Sequence, residues 1–429
     1  MIFKNKKSTF VLFCLFVPVL VFSQHAATDS LTKNFSHNSQ SIISNFKITG
    51  FVHVDYQLAD TAGQASLSGG KFPNEVDNRF LLRRCQIKFT YETRLTTASA
   101  QLYTTENGIG LKDAFITLNT SWKNRLSFTG GLFDRPFGYE IAYSATRIES
   151  TERSRITMAL FPGEKDLGAK IALKMPLEND ARIQFDLGTF NGNGPGTETD
   201  SYKDFIGHLW YATNEEKALK ASGGVSYYRG GFAEQTDNSY EMKSIDGVKV
   251  FAKNGQLKGD QARREYIGID AQASYDWWAG TSAIRAEYLW GTQPASAENP
   301  NSLKTAIEGD TYLRNFNGYY VYFIQNIGKT PFQAVLKYDV YDPNTAVSGN
   351  EIGISSSAPD AKATGVADVK YSTFGVGLNY YWNEHVRLTV YYDMPRNETT
   401  RNIHTASTLT NLAKDRKDNL LTFRLMYRF

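Results

Sequence analysis

The chain has 429 residues, of which 41% are hydrophobic and 14% aromatic, and its formal net charge is +3. A charge this close to neutral argues against a protein that binds nucleic acid non-specifically. After the amino-terminal region, no run of 18 apolar residues occurs, so no transmembrane helix is predicted.

The first 23 residues have the pattern of a cleaved secretory signal peptide. Three lysines precede an apolar stretch over residues 10–22, and Ser23 is a small residue at the expected cleavage site. Pro18 interrupts the stretch, which is too short for a secure membrane anchor. Cleavage would leave 44 basic and 44 acidic residues, with Cys85 as the one cysteine, so no intramolecular disulfide is expected.

A polar leader, residues 24–45, precedes a long series of segments in which apolar and polar residues alternate. Alternation with a period of two indicates β-strands that have one apolar and one polar face. Most segments have about 10 residues or more, which is the length that a tilted strand needs to cross a bilayer. The sixteen predicted strands are 46–58, 79–93, 96–105, 111–120, 125–133, 166–176, 180–190, 203–213, 218–229, 263–277, 280–291, 315–328, 331–342, 369–382, 385–394 and 418–429.

The second predicted strand shows how the two faces are assigned. Leu81 and Cys85 fall on its apolar face, whereas Arg84 and Lys88 fall on its polar face. Arg83 is then expected to point away from the lumen, unless a β-bulge changes the alternation.

The last predicted strand ends with an apolar residue at every second position: Phe423, Leu425, Tyr427 and Phe429. A strand whose apolar face continues to the final residue suits a barrel that closes in lipid. We expect these four residues to form the signal that the barrel-assembly machinery reads.

Long and short connections alternate along the chain. The long ones are near 59–78, 134–165, 191–202, 230–262, 292–314, 343–368 and 395–417, and short ones such as 177–179 and 383–384 lie between them. The expected fold is all-β, a transmembrane antiparallel barrel of about 16 strands over residues 46–429, with short periplasmic turns and long extracellular loops. A soluble sandwich or propeller is the alternative, but neither explains the alternation.

The connection after the fifth strand has its own aromatic and charged residues, and we expect it to fold into the lumen. Its runs "RPFGYE", "TERS" and "FPGEKDLGAKI" resemble the phosphate-selective porin O and P family. "FLLRRCQIKF", "LKDAFITL", "FNGNG" and "LLTFRLMYRF" resemble other parts of that family, in the same order along the chain.

This resemblance implies a trimeric outer-membrane channel that passes anions through a lumen lined with arginine and lysine. Carried over by position, Arg84, Arg135 and Arg147 are implied to face the pore, and Asp113 is implied to be an internal counter-charge. The connection over residues 134–166 has five basic and six acidic residues and therefore carries no cationic excess. Because fixed charge in a narrow passage selects ions more strongly than net charge does, we still expect a weak to moderate anion preference.

Alternation places further charged residues on the polar, lumen-facing side of the strands. With Arg84 and Lys88, these candidate pore-lining residues are Arg285, Lys337, Arg387 and Arg424.

The expected function is passage of small hydrophilic solutes, with a preference for anions such as phosphate, across the outer membrane of a Gram-negative bacterium. The expected partners are outer-membrane lipid and lipopolysaccharide, the barrel-assembly machinery, small anions and two further copies in a homotrimer; nucleic acid is not expected. The alternative is a barrel that serves mainly as a surface-binding or adhesion platform and conducts little.

An enzyme is not expected. The sequence has no H-E-x-x-H or G-x-S-x-G motif, and the "IGKT" run lacks the first glycine of a phosphate-binding loop. No catalytic residue, metal site or cofactor is therefore predicted.

Overall fold

In the computed structural model, the described residues are 45–106, 108–120, 125–213, 218–301, 309–405, 407 and 409–429. The predicted signal peptide, the leader before Asn45 and the short connections at 121–124 and 214–217 lie outside these residues. No helix in the described part of the chain is long and apolar enough to cross a membrane.

Antiparallel pairing joins sixteen strands of the described chain into a closed ring, so the predicted barrel is confirmed. The ring strands are β1 (Phe46–Ala59), β2 (Asn78–Glu92), β3 (Thr96–Thr105), β4 (Gly108–Asn119), β5 (Leu126–Asp134), β6 (Lys165–Pro176), β7 (Arg182–Phe190), β8 (Asp204–Ala212), β9 (Leu219–Ala233), β12 (Gln261–Trp277), β13 (Gly280–Ala295), β14 (Thr311–Asn326), β15 (Phe332–Asp342), β16 (Tyr371–Tyr381), β17 (Val386–Asn397) and β18 (Leu420–Arg428). The ring closes because β1 pairs with both β2 and β18, and β9 pairs directly with β12.

A β-hairpin stands outside the ring, within the connection over residues 230–262 that was predicted to be a loop. Its strands are β10 (Ser239–Ile245) and β11 (Val248–Lys253), and Asp246 and Gly247 turn between them with φ of 53° and 78°. Positive φ at both central residues is the geometry of a type I′ hairpin turn, which Asp-Gly favours. Three residues of β10 also pair with the start of β14.

The two faces of the wall are the reverse of those in a soluble protein. In β18, Phe423, Leu425 and Tyr427 are exposed by 41%, 48% and 48%, whereas Thr422 and Arg424 are buried. Apolar side chains therefore face outward, where lipid would cover them, and polar side chains face the lumen.

Two β-bulges change the alternation in neighbouring parts of the wall. Between β1 and β2 the pairing passes from His53 opposite Arg84 to Val54 opposite Leu82, which leaves Arg83 as an extra residue. Because of this bulge, Leu81 lies opposite the lumen-facing Asp55, so its predicted place on the lipid face with Cys85 is wrong.

The second bulge leaves Lys112 as an extra residue in β4. Gln101 of β3 pairs with Asp113, and the next residue, Leu102, pairs with Leu111. A bulge re-aims side chains because two residues oppose one on the partner strand. Each bulge therefore adds a cation to the lumen side of its strand.

The barrel closes beside Phe429. Its backbone N–H donates to the Gly50 carbonyl and its carbonyl accepts from the Gly50 N–H, both at 3.0 Å. A Cβ on Gly50 would lie 2.6 Å from the Phe429 ring and 2.7 Å from the Gln86 carbonyl oxygen, so glycine is needed for this close approach. The role of Phe429, Tyr427, Leu425 and Phe423 in assembly stays a prediction.

Candidate functional site

The segment between β5 and β6, residues 135–164, lies inside the barrel and is here named the inner segment. It contains the short helix α1 (Arg155–Leu160), whose amino-terminal cap is Ser154. Lumen-facing cations hold its backbone: Arg387 donates to the Ile148 carbonyl at 2.9 Å and Arg424 to the Thr151 carbonyl at 2.6 Å. Buried carbonyl oxygens need such donors, because no water is available to them.

Aromatic and aliphatic side chains attach the other face of the inner segment to the wall. Phe137 and Phe161 lie 5.0 Å apart between ring centroids, and the Phe161 ring meets Tyr266 edge-on at 5.8 Å. Ile156 and Leu160 of α1 belong to the same buried cluster. The remaining wall members of the cluster include Tyr228, Leu289, Phe316 and Tyr341. The inner segment thus packs against the wall on the side of β9 and β12–β15.

Glu152 links the inner segment to the first bulge. Arg83 donates to its two carboxylate oxygens at 2.7 and 2.9 Å, and Arg84 donates at 2.6 Å. Burial alone would raise the pKa of Glu152, but the charges of Arg83, Arg84 and Arg424 outweigh burial and lower the pKa to about 2. Glu152 is therefore a carboxylate at any ordinary pH.

Glu164 makes the corresponding link to the second bulge. Its carboxylate accepts from Lys112, the extra residue of β4, and from Arg153 at 2.6 Å. Burial would raise the pKa of Glu164, but the charges of Arg153 and Lys112 lower it well below the usual range. Next along the chain, the Lys165 ammonium lies 2.8 Å from Asp113 and 2.7 Å from Asp134.

Two cavities lie along this charged side of the lumen, with volumes of about 340 and 430 Å³. One reaches Gly50 and Phe429 and the other reaches Tyr103 and Pro195. Their common lining is Arg84, Gln86, Lys112, Arg153, Glu164 and Lys165. We name this place the charged gap: it lies between the inner segment and strands β2–β4.

The nine predicted pore-lining residues fall into three groups: residues of the charged gap, arginines of the inner segment, and residues that hold the inner segment. Arg84, Lys88 and Asp113 form the first group and line one cavity of the charged gap, where Lys88 lies 3.5 Å from Asp113. Arg147 is exposed on the inner segment, whereas Arg135 is buried and its Nε lies 3.1 Å from an Asp166 oxygen.

The other four predicted residues hold the inner segment. Arg387 and Arg424 do so through the carbonyl groups described above. Lys337 donates to the Glu152 and Arg153 carbonyls at 3.2 and 3.0 Å, and Arg285 forms two bonds to Glu149 at 2.7 and 2.8 Å. Arg424 also pairs with Asp55 through two bonds. Whether any of these residues contacts a solute stays a prediction.

Sequence reasoning missed several members of the charged gap, chiefly Arg83, Lys112 and Arg153. Adjacent charged residues in one strand were the available signal, as in Arg83-Arg84 and Lys112-Asp113. Two neighbours in a regular strand face opposite sides, so a charged pair in a lipid-embedded wall indicates a bulge. Nothing local in the sequence marks Arg153 as a neighbour of the wall.

A closed barrel with an apolar exterior and a charged, partly filled lumen defines the class of outer-membrane channels. The family model described as "Phosphate-selective porin O and P" matches residues 46–429, and the chain belongs to this family. It is therefore an outer-membrane porin, as the resemblance predicted.

Solved structures with a similar fold come from several bacteria. OmpT of Vibrio cholerae is 9% identical, with a TM-score of 0.49 over 90% of this chain and 97% of that chain. The channel DcaP of Acinetobacter baumannii is 12% identical, with a TM-score of 0.49 over 90% and 97%. An anion-selective porin of Comamonas acidovorans is 12% identical, with a TM-score of 0.48 over 90% and 99%. A search of curated proteins finds no match.

Proposed function

We propose that this porin passes small hydrophilic solutes through the charged gap, with a weak to moderate preference for anions, phosphate among them. The observation that carries the proposal is the excess of cations around the gap. In the linings of its two cavities, arginine and lysine outnumber aspartate and glutamate seven to four: Arg83, Arg84, Lys88, Lys112, Arg153, Lys165 and Arg428 against Asp113, Asp134, Glu152 and Glu164.

Local charge matters here more than the near-neutral charge of the whole chain. Fixed charges in a narrow passage with low-dielectric walls act strongly on permeating ions, whereas distant charges are screened within about 8 to 10 Å. The inner segment narrows the passage, because its apolar cluster with β9 and β12–β15 occupies part of the lumen. The acids of the gap offset part of the cationic charge, so the preference is moderate rather than absolute.

Phosphate suits this site chemically. Guanidinium groups present planar pairs of donors that match phosphate oxygens, and lysine adds compact positive charge. Arg83 and Arg84 share Glu152, so a phosphate ion would compete with that carboxylate for their donors. This competition favours brief binding, which permits conduction.

The finer organisation is also proposed. The chain is exported by the signal peptide at residues 1–23, which precedes a leader, and inserts as a homotrimer into the outer membrane of a Gram-negative bacterium. The barrel-assembly machinery reads the apolar positions ending at Phe429, and lipid and lipopolysaccharide surround the barrel. No enzymatic activity is proposed.

The test is the reversal potential of single channels in a potassium chloride gradient. Wild-type protein should show an anion preference, and Lys112→Gln should reduce it because one cation of the gap is lost. Lys258→Gln, at an exposed position between β11 and β12, is the matched control and should leave the preference unchanged. A cation preference in the wild type, or equal effects of the two substitutions, would contradict the proposal.

The same recordings test the alternative function. A barrel that is mainly a binding or adhesion platform would show little or no conductance. Added phosphate should reduce the chloride current if phosphate binds in the gap. An unchanged current would mean that the channel passes anions in general but does not bind phosphate.

A further inference from the structure

A further cavity of about 540 Å³ adjoins the charged gap, with which it shares Asp134, Ala142 and Tyr143, and extends from them along other strands. Its wall comes from β6–β9, β12 and β13, and its roof comes from Phe137, Tyr139 and Tyr143 of the inner segment. Ala212 and Lys220 also line it, at the end of β8 and near the start of β9, so it opens toward the short turns. Its volume is within the range of small-molecule sites.

Aromatic rings form two platforms in this cavity. Tyr139 and Tyr143 stack with 5.2 Å between centroids, and the Arg285 guanidinium lies 4.4 Å from the Tyr143 ring centroid. On the wall, the Trp210 indole is half-buried, and Arg182 lies 5.4 Å from its centroid. Aromatic faces of this kind bind flat or cyclic solutes by stacking.

The wall beside Trp210 is recessed. Gly224 of β9 pairs with Trp210, and it carries no side chain to cover the indole on that side. Gly224 also makes room for His208 and Asp270, because a Cβ there would lie 2.4 Å from His208 Nε2 and 2.9 Å from an Asp270 oxygen. The recess thus has an aromatic wall and a polar floor.

Polar groups surround the rings. Gln184 donates to Asp186 at 2.7 Å, and Lys170 lies 3.3 Å from Asp186. Ser222 of β9 donates to Gln272 of the neighbouring strand β12 at 2.6 Å. Amide, hydroxyl and carboxylate groups can orient ring hydroxyls, whereas Lys170 and Arg182 can bind a carboxylate.

We infer that this cavity, here named the aromatic recess, is a binding site for ring-bearing carboxylates, with the ring against Trp210 and the carboxylate near Arg182 and Lys170. Aromatic acids and sugar acids share this chemistry. The inference does not rest on the proposed anion preference, since Trp210, Arg182 and Lys170 line the aromatic recess and not the charged gap.

The test is calorimetric titration of the purified full-length protein in detergent with benzoate, glucuronate and acetate. Benzoate or glucuronate should bind at least tenfold more tightly than acetate. Tighter binding of benzoate would indicate a site for aromatic acids, and tighter binding of glucuronate a site for sugar acids. Equal affinity for acetate, or no binding of either ring acid at millimolar concentration, would overturn the inference.

Variants locate the binding. Trp210→Leu should weaken the ring acid at least fivefold, and Trp210→Phe, which keeps a ring, should weaken it less. Trp290→Leu is the matched control, because Trp290 stacks on the outward-facing Tyr288 of β13. Lys112→Gln should leave ring-acid affinity unchanged. If Trp210→Leu has no effect, or if Lys112→Gln abolishes binding, the site is not the aromatic recess.

Discussion

Single charged residues in this lumen differ in role because their partners differ. Arg135 and Arg147 belong to the same inner segment, but Arg135 is 2% exposed beside Asp166, whereas Arg147 is exposed. A buried ion pair that loses one partner leaves an uncompensated charge, whereas an exposed charge is solvated with or without a partner.

The first prediction contrasts these two arginines. Arg135→Gln should lower the free energy of unfolding by about 3 kcal/mol, because Asp166 would remain buried without its cation. Arg147→Gln should change it by less than about 0.5 kcal/mol. Urea unfolding in lipid vesicles measures both. Equal stability of the two variants would mean that Asp166 finds other compensation.

The second prediction concerns Glu152, which Arg83, Arg84 and Arg424 share. Glu152→Gln should lower the free energy of unfolding by about 3 kcal/mol, because Arg83 and Arg84 lose their anion and Arg424 keeps only Asp55. Glu384→Gln, whose side chain is 84% exposed, is the control and should have little effect.

The pH dependence follows from the same charges. The pKa of Glu152 falls from 4.5 to about 2 on folding, so its stabilising effect is fully present above about pH 4.5 and is lost as the pH falls toward 2. The stability difference between wild type and Glu152→Gln should therefore be constant from pH 7 to 5 and shrink below pH 4. A difference that shrinks between pH 7 and 6 would indicate another titrating group.

Among the elements, the strands were predictable from alternation and the bulges were not. Alternation locates β18 with Phe423 outward and Arg424 inward, because lipid and lumen impose opposite polarity on alternate residues. It also placed Leu81 outward, which is wrong, since the extra Arg83 reverses the phase. A bulge depends on pairing with another strand, so apolar–polar alternation does not reveal it; the adjacent charges of Arg83-Arg84 and Lys112-Asp113 were the signal that the sequence offered.

The third prediction uses the bulge in β4. Deleting Lys112 should leave the flanking pairs in register, Gln101 with Asp113 and Leu102 with Leu111, so the barrel should assemble and its anion preference should fall as in Lys112→Gln. Deleting Ala114, a regularly paired residue, should instead move Asp113 to the lipid-facing position of Ala114 and prevent assembly. Heat-modifiable electrophoretic mobility measures assembly, and the reversal potential measures anion preference. Failure of the Lys112 deletion to assemble would mean that the bulge itself is required.

In the whole molecule, the inner segment divides the lumen into the charged gap along β2–β4 and a side where it packs against β9 and β12–β15. The sequence indicates an inward loop through its aromatic and charged residues, but not which wall it meets. That choice depends on Phe137, Phe161 and α1 packing against Tyr228 and Tyr266, residues more than sixty positions away. From alternation alone, the tyrosines that face the lumen look like any other residues of the polar face. Their contact with the inner segment is visible only in the structure.

The last prediction tests that division. Asp134 pairs directly with Lys165, so residues 137–162 can be replaced by a short Gly-Ser linker without straining β5 and β6. The barrel should still assemble, because the sixteen-strand ring closes through pairs among β1–β9 and β12–β18.

Conductance should then rise severalfold and anion preference should decline, because the passage widens and salt screens the wall charges from ions in a wider opening. The matched control replaces the hairpin β10–β11, residues 239–253, with the same linker, and should alter conductance little because that hairpin stands outside the ring. Single-channel recording compares the three proteins under one salt gradient. An unchanged conductance after removal of residues 137–162 would mean that the inner segment does not limit the flow of ions.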